Sequence, residues 1–204
     1  MSFLPLLGVG LLLGVRHATD ADHVVAVAAL ASRETRAQGI VSFGISKLGA
    51  MWGAGHMLTV FGVGGAIIAL GLAVPPRVAL AFELCVGLML VVIGALNLVA
   101  GSKAAAPRSA ARSFGVGMVH GLAGSTAIAL MILATIRDVR AALAYLAVFG
   151  LGTVAGMVAV TFAMSIPMVL VTRAELVQRH IGRVAGLVSV AFGFVVIWRI
   201  VTAW

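Results

Sequence analysis

Charged residues are scarce in this chain. Only 10% of its 204 residues are Asp, Glu, Lys or Arg, where an ordinary soluble domain has about 25%, and 62% are hydrophobic. None of these four residue types occurs in 48–76, 113–136 or 141–172. Each of these stretches is longer than the roughly 20 apolar residues with which a helix spans a bilayer. The composition therefore excludes a large soluble domain and predicts an integral membrane protein.

Several chemical signatures are also missing. The single cysteine, Cys85, excludes a disulfide or a multi-cysteine metal site within the chain. There is no His-Glu-x-x-His pair, no evident Ser or Cys nucleophile beside a base, and no Gly-x4-Gly-Lys-Ser/Thr loop for phosphate. We therefore expect neither an enzyme nor a nucleotide-driven pump. The excess of Lys and Arg over Asp and Glu, 14 against 6, is typical of cytoplasmic loops rather than of nucleic-acid binding.

The hydrophobic runs predict an all-α polytopic membrane protein, with one transmembrane domain over residues 1–204. Pro167 is expected to kink or end the fifth helix, and the basic segment 172–183 is expected to form an interfacial turn. About six transmembrane helices are predicted, covering residues 3–31, 46–73, 77–100, 113–136, 141–171 and 184–204.

The loop charges predict an orientation. One side of the membrane receives eight basic residues and the other side receives four, so the first side is expected to be cytoplasmic and both termini to face outward. The first set is Arg33, Arg36, Lys103, Arg108, Arg112, Arg173, Arg179 and Arg183, and the second is Arg77, Arg137, Arg140 and Arg199.

The two halves of the chain resemble each other. "GVRHATDA" at 14–21 aligns with "GMVHGLAG" at 117–124, and "RVALAFELCVG" at 77–87 aligns with "RVAGLVSVAFG" at 183–193. Residues 1–100 and 113–204 would then be two three-helix units joined by a basic cytoplasmic loop at 101–112. An odd number of crossings makes such copies inverted in the membrane, as in many secondary transporters. Chance similarity between helices rich in Gly and Val is the alternative.

The first predicted span contains an unusual polar run, "RHATDADH" at 16–23. A central Asp costs roughly 2.5–3.5 kcal/mol on insertion scales, so such residues are by default functional and face a cavity or the bundle interior. At about 100° per residue, His17, Asp20 and His23 share one face of a helix, whereas Asp22 points elsewhere. Aiming all of them at one ion requires a break in the helix, as transporters use at mid-membrane sites.

Imidazole and carboxylate ligands together favour borderline divalent metals such as nickel, cobalt and zinc. The predicted metal ligands are His17, Asp20, Asp22, His23 and His120, and His56 is a further histidine within a charge-free span. A simpler interpretation is a polar helix end at the membrane surface with Arg16 paired to Asp20. His56 could equally be a packing residue, and small-residue helix packing would explain the glycines beside His120. Glu83 and His180 are weaker candidates. Glu83 could relay protons, pair with a buried histidine or simply lie near the membrane surface, and His180 is expected to be solvated.

The polar motifs carry a family resemblance. "RHATDADH" is similar to the His-x4-Asp-His signature of the nickel/cobalt transporter family and its urease-associated nickel permease branch. "GAGHMLTVFGVGG" resembles the Gly-His element of that family's next helix, and "GMVHGLAGSTAIAL" resembles the second-half motif of the permease branch. The resemblance implies that His17, Asp22, His23 and His56 handle the metal, while Asp20 is added from the local pattern of the helix.

The resemblance implies a secondary transporter that moves Ni2+ or Co2+ across the bacterial inner membrane, with the ion as substrate and no cofactor. Two family features are missing, the acidic motif of the classical branch and an extra leading helix. The chain also has no His-rich loop of the kind seen in exporters, which favours uptake. Efflux, transport of an anion drawn by helix ends and Arg16, and a membrane metalloenzyme are the alternatives.

Overall fold

A computed structural model describes residues 3–38, 42–70, 75–99, 110–122, 133, 135–136, 138–170 and 175–203. Within these ranges the protein is all-helical. The seven helices are α1 (Phe3–His17), α2 (Ala21–Gln38), α3 (Ser42–Leu70), α4 (Pro76–Val99), α5 (Ala110–His120), α6 (Val139–Leu170) and α7 (Glu175–Ala203).

Four of these helices have segments long and apolar enough to cross a membrane. These segments are Lys47–Leu70, Pro76–Val99, Val139–Ile166 and His180–Thr202. The apolar parts of α1 and α2 are shorter, and α5 has 11 residues. The structure thus agrees with a membrane protein built from helices, although the predicted count of six crossings is not reproduced as six long helices.

The first predicted span, 3–31, is divided into two helices. α1 ends at His17 and α2 begins at Ala21, so the polar run lies at the junction, where a break was expected. The second part of the fourth span, from residue 123 to residue 132, lies outside the described residues, and so do Ser125 and Thr126 beside His120.

One local prediction was wrong. The segment 172–183 is not a turn throughout, because α7 begins at Glu175 and runs through it as helix. Of the two outcomes expected at Pro167, an end of the helix is excluded, because α6 continues to Leu170, and a kink there stays a prediction.

Glycines hold the helices of the bundle close together. A methyl group on Gly14 of α1 would overlap the backbone carbonyl of Phe149 on α6, and one on Gly117 of α5 would overlap the carbonyl of Trp52 on α3. Contacts at Gly10 to Tyr145 and at Gly156 to Ala18 show that α1 and α6 run in parallel. Such backbone approach is what small residues permit at helix interfaces in membranes.

The second tight interface joins α4 to α7. Gly87 faces Gly193, and Gly94 faces Gly186, each so closely that a β-carbon would lie 2.6–3.3 Å from the opposite carbonyl oxygen. A buried side chain fastens α2 to this pair, because the Asn97 amide donates to the Ala29 carbonyl at 2.7 Å. Both helices that carry the polar run are therefore held by neighbours: α1 packs on α6, and α2 is hydrogen-bonded to α4.

The backbone contact at Gly117 generates a stability prediction. Gly117→Ala should lower the unfolding temperature in detergent, with a loss of about 1–3 kcal/mol, because the added methyl meets a carbonyl that cannot move alone. Gly115→Ala is the matched control on the same helix, since nothing lies within 4 Å of the position of its β-carbon. The control should be neutral or gain up to about 1 kcal/mol from better helix propensity. Equal behaviour of the two variants would contradict the close packing of α5 on α3.

Candidate metal centre

The centre is built around the junction between α1 and α2. The last turn of α1 closes with hydrogen bonds from the Thr19 amide to the Arg16 carbonyl and from the Asp20 amide to the His17 carbonyl, at 2.9 and 3.0 Å. The carbonyl of Asp20 then accepts the first bond of α2, from Val24. Asp is a preferred residue at this helix-capping position. The polar residues thus form a turn between two helices rather than one face of a single helix.

The Asp20 carboxylate is directed at His17. Its Oδ2 lies 2.9 Å from Nδ1 of His17. A carboxylate only accepts hydrogen bonds, so this contact places the proton of His17 on Nδ1 and leaves Nε2 with its lone pair. Among the described residues no ion pair joins Asp20 to Arg16, contrary to the alternative of a surface pair between them.

The ring nitrogen of His17 that carries the lone pair, Nε2, faces His56. Nε2 of His17 and Nε2 of His56, which comes from the middle of α3, are 3.2 Å apart. The rings of His17 and His23 are also in contact, with centroids 4.5 Å apart and nearly perpendicular planes. The centroid of His23 is 5.4 Å from that of His56. Three imidazoles from α1, α2 and α3 therefore converge.

A second convergence includes the last residue of α5. Nε2 of His120 lies 3.0 Å from Oδ2 of Asp22 and 3.2 Å from Nδ1 of His23. The other carboxylate oxygen of Asp22 is 3.2 Å from the same Nδ1. Asp22 lies in the first turn of α2, where the helix dipole stabilises a negative charge.

The four histidines of the centre are buried, and the two carboxylates are partly exposed. His17, His23, His56 and His120 have exposures of 4% or less, and the carboxylates of Asp22 and Asp20 are 15% and 37% exposed. Three ring nitrogens have no hydrogen-bond partner among the described residues, namely Nε2 of His23, Nδ1 of His56 and Nδ1 of His120. Buried polar atoms are normally hydrogen-bonded, so the unpartnered Nε2 of His23 indicates a ligand, whereas His56 and His120 direct their Nε2 atoms at the centre.

The donor atoms fall into two groups that could each hold a metal ion. One is His17, His23 and His56, and the other is Asp22, His23 and His120, with the ligand atoms of each group within 4.8 Å of one another. Nitrogen and carboxylate oxygen suit nickel, cobalt and zinc better than calcium or magnesium. Five of the six predicted ligands are members of these groups, while Asp20 contacts the outer nitrogen of His17.

Aromatic rings enclose the centre, and sequence analysis did not single them out. Trp52 stacks on His23 at 5.8 Å and meets the edge of His120 at 5.4 Å, while Phe149 lies 5.7 Å from His17. All three contacts bury apolar surface against imidazole. A sequence signal existed, because "WGAGH" at 52–56 matches "FGLGT" at 149–153 in the second half. Glu83 and His180 belong to neither group of ligands.

Comparison with known proteins gives one informative similarity. The chain is 29% identical over 192 residues to the urease accessory protein UreH of Bacillus sp. (strain TB-90), and the alignment covers 85% of this chain and 82% of that protein. No family model and no solved structure matches the chain.

The contact between Asp20 and His17 generates a prediction about metal affinity. Asp20→Ala should weaken binding of Ni2+ or Co2+ by about 10- to 100-fold, because outer carboxylates orient ligating histidines. Thr19→Ala is the control in the same turn, since it removes only a local bond to the Arg16 carbonyl. Titration calorimetry on the purified protein measures both. A loss as complete as that of His17→Ala would make Asp20 a direct ligand, and an unchanged affinity would remove it from the site.

Proposed function

We propose that this protein is a secondary transporter that takes up Ni2+ or Co2+ across the bacterial inner membrane. The observation that carries the proposal is the buried cluster of four histidines and Asp22, whose donor atoms converge within an apolar helical bundle. A group of this kind is costly to keep within a membrane unless it has a function there. The similarity to a urease accessory protein agrees with the resemblance to the urease-associated nickel permeases.

The ligand chemistry supports transport rather than permanent retention of the ion. Neutral imidazoles with one carboxylate leave a divalent ion with residual positive charge. Such an ion is held less firmly than in a site with several carboxylates or thiolates, so release to the other side of the membrane is feasible. The aromatic rings of Trp52 and Phe149 shield the centre.

The proposal includes two inverted three-helix repeats. The helix ends that carry His17 and His120 close with corresponding backbone bonds. These are Ala18 to Gly14 and Thr19 to Arg16 in the first half, and Gly121 to Gly117 and Leu122 to Val119 in the second. Each residue of the second set lies 103 positions after its counterpart, which is the offset of the sequence alignment.

The helix packing follows the same correspondence. Gly14 packs on the Phe149 carbonyl as Gly117 packs on the Trp52 carbonyl. Likewise, Gly152 packs on the carbonyl of Leu11 and Gly55 on that of Phe114. His17 also lies beside Phe149, as His120 lies beside Trp52. In this arrangement the two corresponding helix ends bring His17 from the first half and His120 from the second half to a shared centre, and rocking of one half against the other would give alternating access.

Transport is tested with ligand variants. His17→Ala, Asp22→Asn and His23→Ala should each reduce uptake of Ni2+ and Co2+ by proteoliposomes to that of empty vesicles, because each removes a donor from the centre. His180→Ala should retain full uptake, since His180 is exposed and outside both ligand groups. Supplying Zn2+ in parallel measures selectivity. Normal uptake by two of the three ligand variants would exclude this centre from transport.

The inverted repeat is tested by topology. Arg77 and Arg183 are aligned between the two halves, and both side chains are exposed. In a Cys85→Ser background, Arg77→Cys should react with a membrane-impermeant thiol reagent added outside intact cells. Arg183→Cys should react only after the membrane is opened, because inverted copies place these positions on opposite sides. Labelling of both cysteines from the same side would contradict the inversion.

A further inference from the structure

The two groups of ligands share one residue. His23 belongs both to the group with His17 and His56 and to the group with Asp22 and His120. Its two ring nitrogens have different surroundings. Nδ1 lies 3.2 Å from Asp22 and 3.2 Å from His120, whereas Nε2 is buried without a hydrogen-bond partner among the described residues.

The nitrogen atoms of the first group are spaced like ligands bound to one metal ion. Two nitrogens bound to one tetrahedral ion at about 2.05 Å are about 3.3 Å apart. Nε2 of His17 and Nε2 of His56 are 3.2 Å apart, and a ring nitrogen of His23 lies within 4.8 Å of the ligand atoms of both. Because Nδ1 of His23 is hydrogen-bonded to Asp22 and His120, we assign the third ligand to Nε2. Nδ1 of His17 is meanwhile held by Asp20, which keeps the lone pair on the correct nitrogen.

The second group differs in charge. Nε2 of His120, Nδ1 of His23 and the carboxylate of Asp22 lie 3.0–3.2 Å from one another. One ligand here is an anion, whereas the first group consists of three imidazoles. A divalent ion in the second group is therefore neutralised in part, and the two groups differ in ligand field as well as in position.

We propose that the centre provides two ion positions, one on each nitrogen of His23, which are occupied alternately during transport. A neutral imidazole has one lone pair and one N–H, so His23 can bind an ion on only one side at a time. Ions bound at about 2.1 Å on opposite sides of one ring would be about 6 Å apart, where two divalent charges repel strongly. This proposal rests on the proposed function and specifies how an ion moves within the centre.

The two ion positions also differ in which half of the chain supplies their ligands. The first position takes its ligands from α1, α2 and α3, all in the first half, and the second position adds His120 of α5 from the second half. An ion that moves from the first to the second position therefore exchanges two ligands of the first half for Asp22 and a ligand of the second half. His23 is a ligand in both positions, through Nε2 in the first and Nδ1 in the second. The change of nitrogen exchanges its proton: Nδ1 releases a proton to solvent by way of the Asp22 carboxylate 3.2 Å away, and Nε2 takes up a proton from solvent when the ion leaves it.

The test uses Co2+, whose visible absorption spectrum depends on the number and type of its ligands. The full-length protein in detergent is titrated with Co2+ as wild type and as His56→Ala, His120→Ala and His23→Ala. His56→Ala removes only the first position and His120→Ala only the second, so each should still bind one Co2+ per chain with affinity reduced by at most about 100-fold. Their spectra should differ from each other, and His23→Ala should bind no Co2+.

Ser113→Ala is the matched control, because Ser113 is a buried residue of α5 that contributes to neither group. Helical content and gel-filtration elution show whether each variant is folded. If His56→Ala or His120→Ala is not folded, His56→Gln or His120→Gln is used in its place. Loss of binding in both position variants, as complete as in His23→Ala, would show one undivided site and overturn the proposal. Identical spectra from the two variants would also overturn it. Either result leaves transport by the wild type intact, whereas absence of Co2+ binding and of uptake in the wild type would refute the proposed function itself.

Discussion

The centre depends on the close approach of two helix backbones at glycine. Gly14 and Gly117 let α1 and α5 lie directly against the carbonyls of Phe149 and Trp52, and each glycine is followed three residues later by a histidine of the centre. A side chain at either glycine would push the helix outward. The histidine at its end would then move by a comparable distance, which is enough to break contacts of 3.0–3.2 Å.

Much of this arrangement could be predicted from the sequence, because the signals that indicate it are local. Long apolar runs mark membrane helices whatever their neighbours are, and a polar run such as residues 16–23 is conspicuous among them. The break between α1 and α2 was also predictable, since a single straight helix could not direct both Asp22 and His17 to one point. His56 and His120 were identified from motifs rather than from spacing.

The remaining features depend on tertiary contacts that periodicity does not reveal. Asp20 shares a helix face with His17, but the distinction between a ligand and an orienting carboxylate depends on which ring nitrogen it meets. The sharing of His23 between two groups requires the position of α5 relative to α2. The continuation of α7 through residues 175–183 shows that a basic segment can remain helical where it extends beyond the apolar part of a span.

The pairing of helices has a consequence for biosynthesis. α1 and α3 pack on α6, α3 also packs on α5, and α4 packs on α7, so the principal interfaces join the first half of the chain to the second. When the first half has been synthesised, its tightest partners do not yet exist. The contacts that hold His17 beside Phe149 therefore form only after α6 has been synthesised. Folding of the centre is consequently a late event, in which the second half completes the packing of the first.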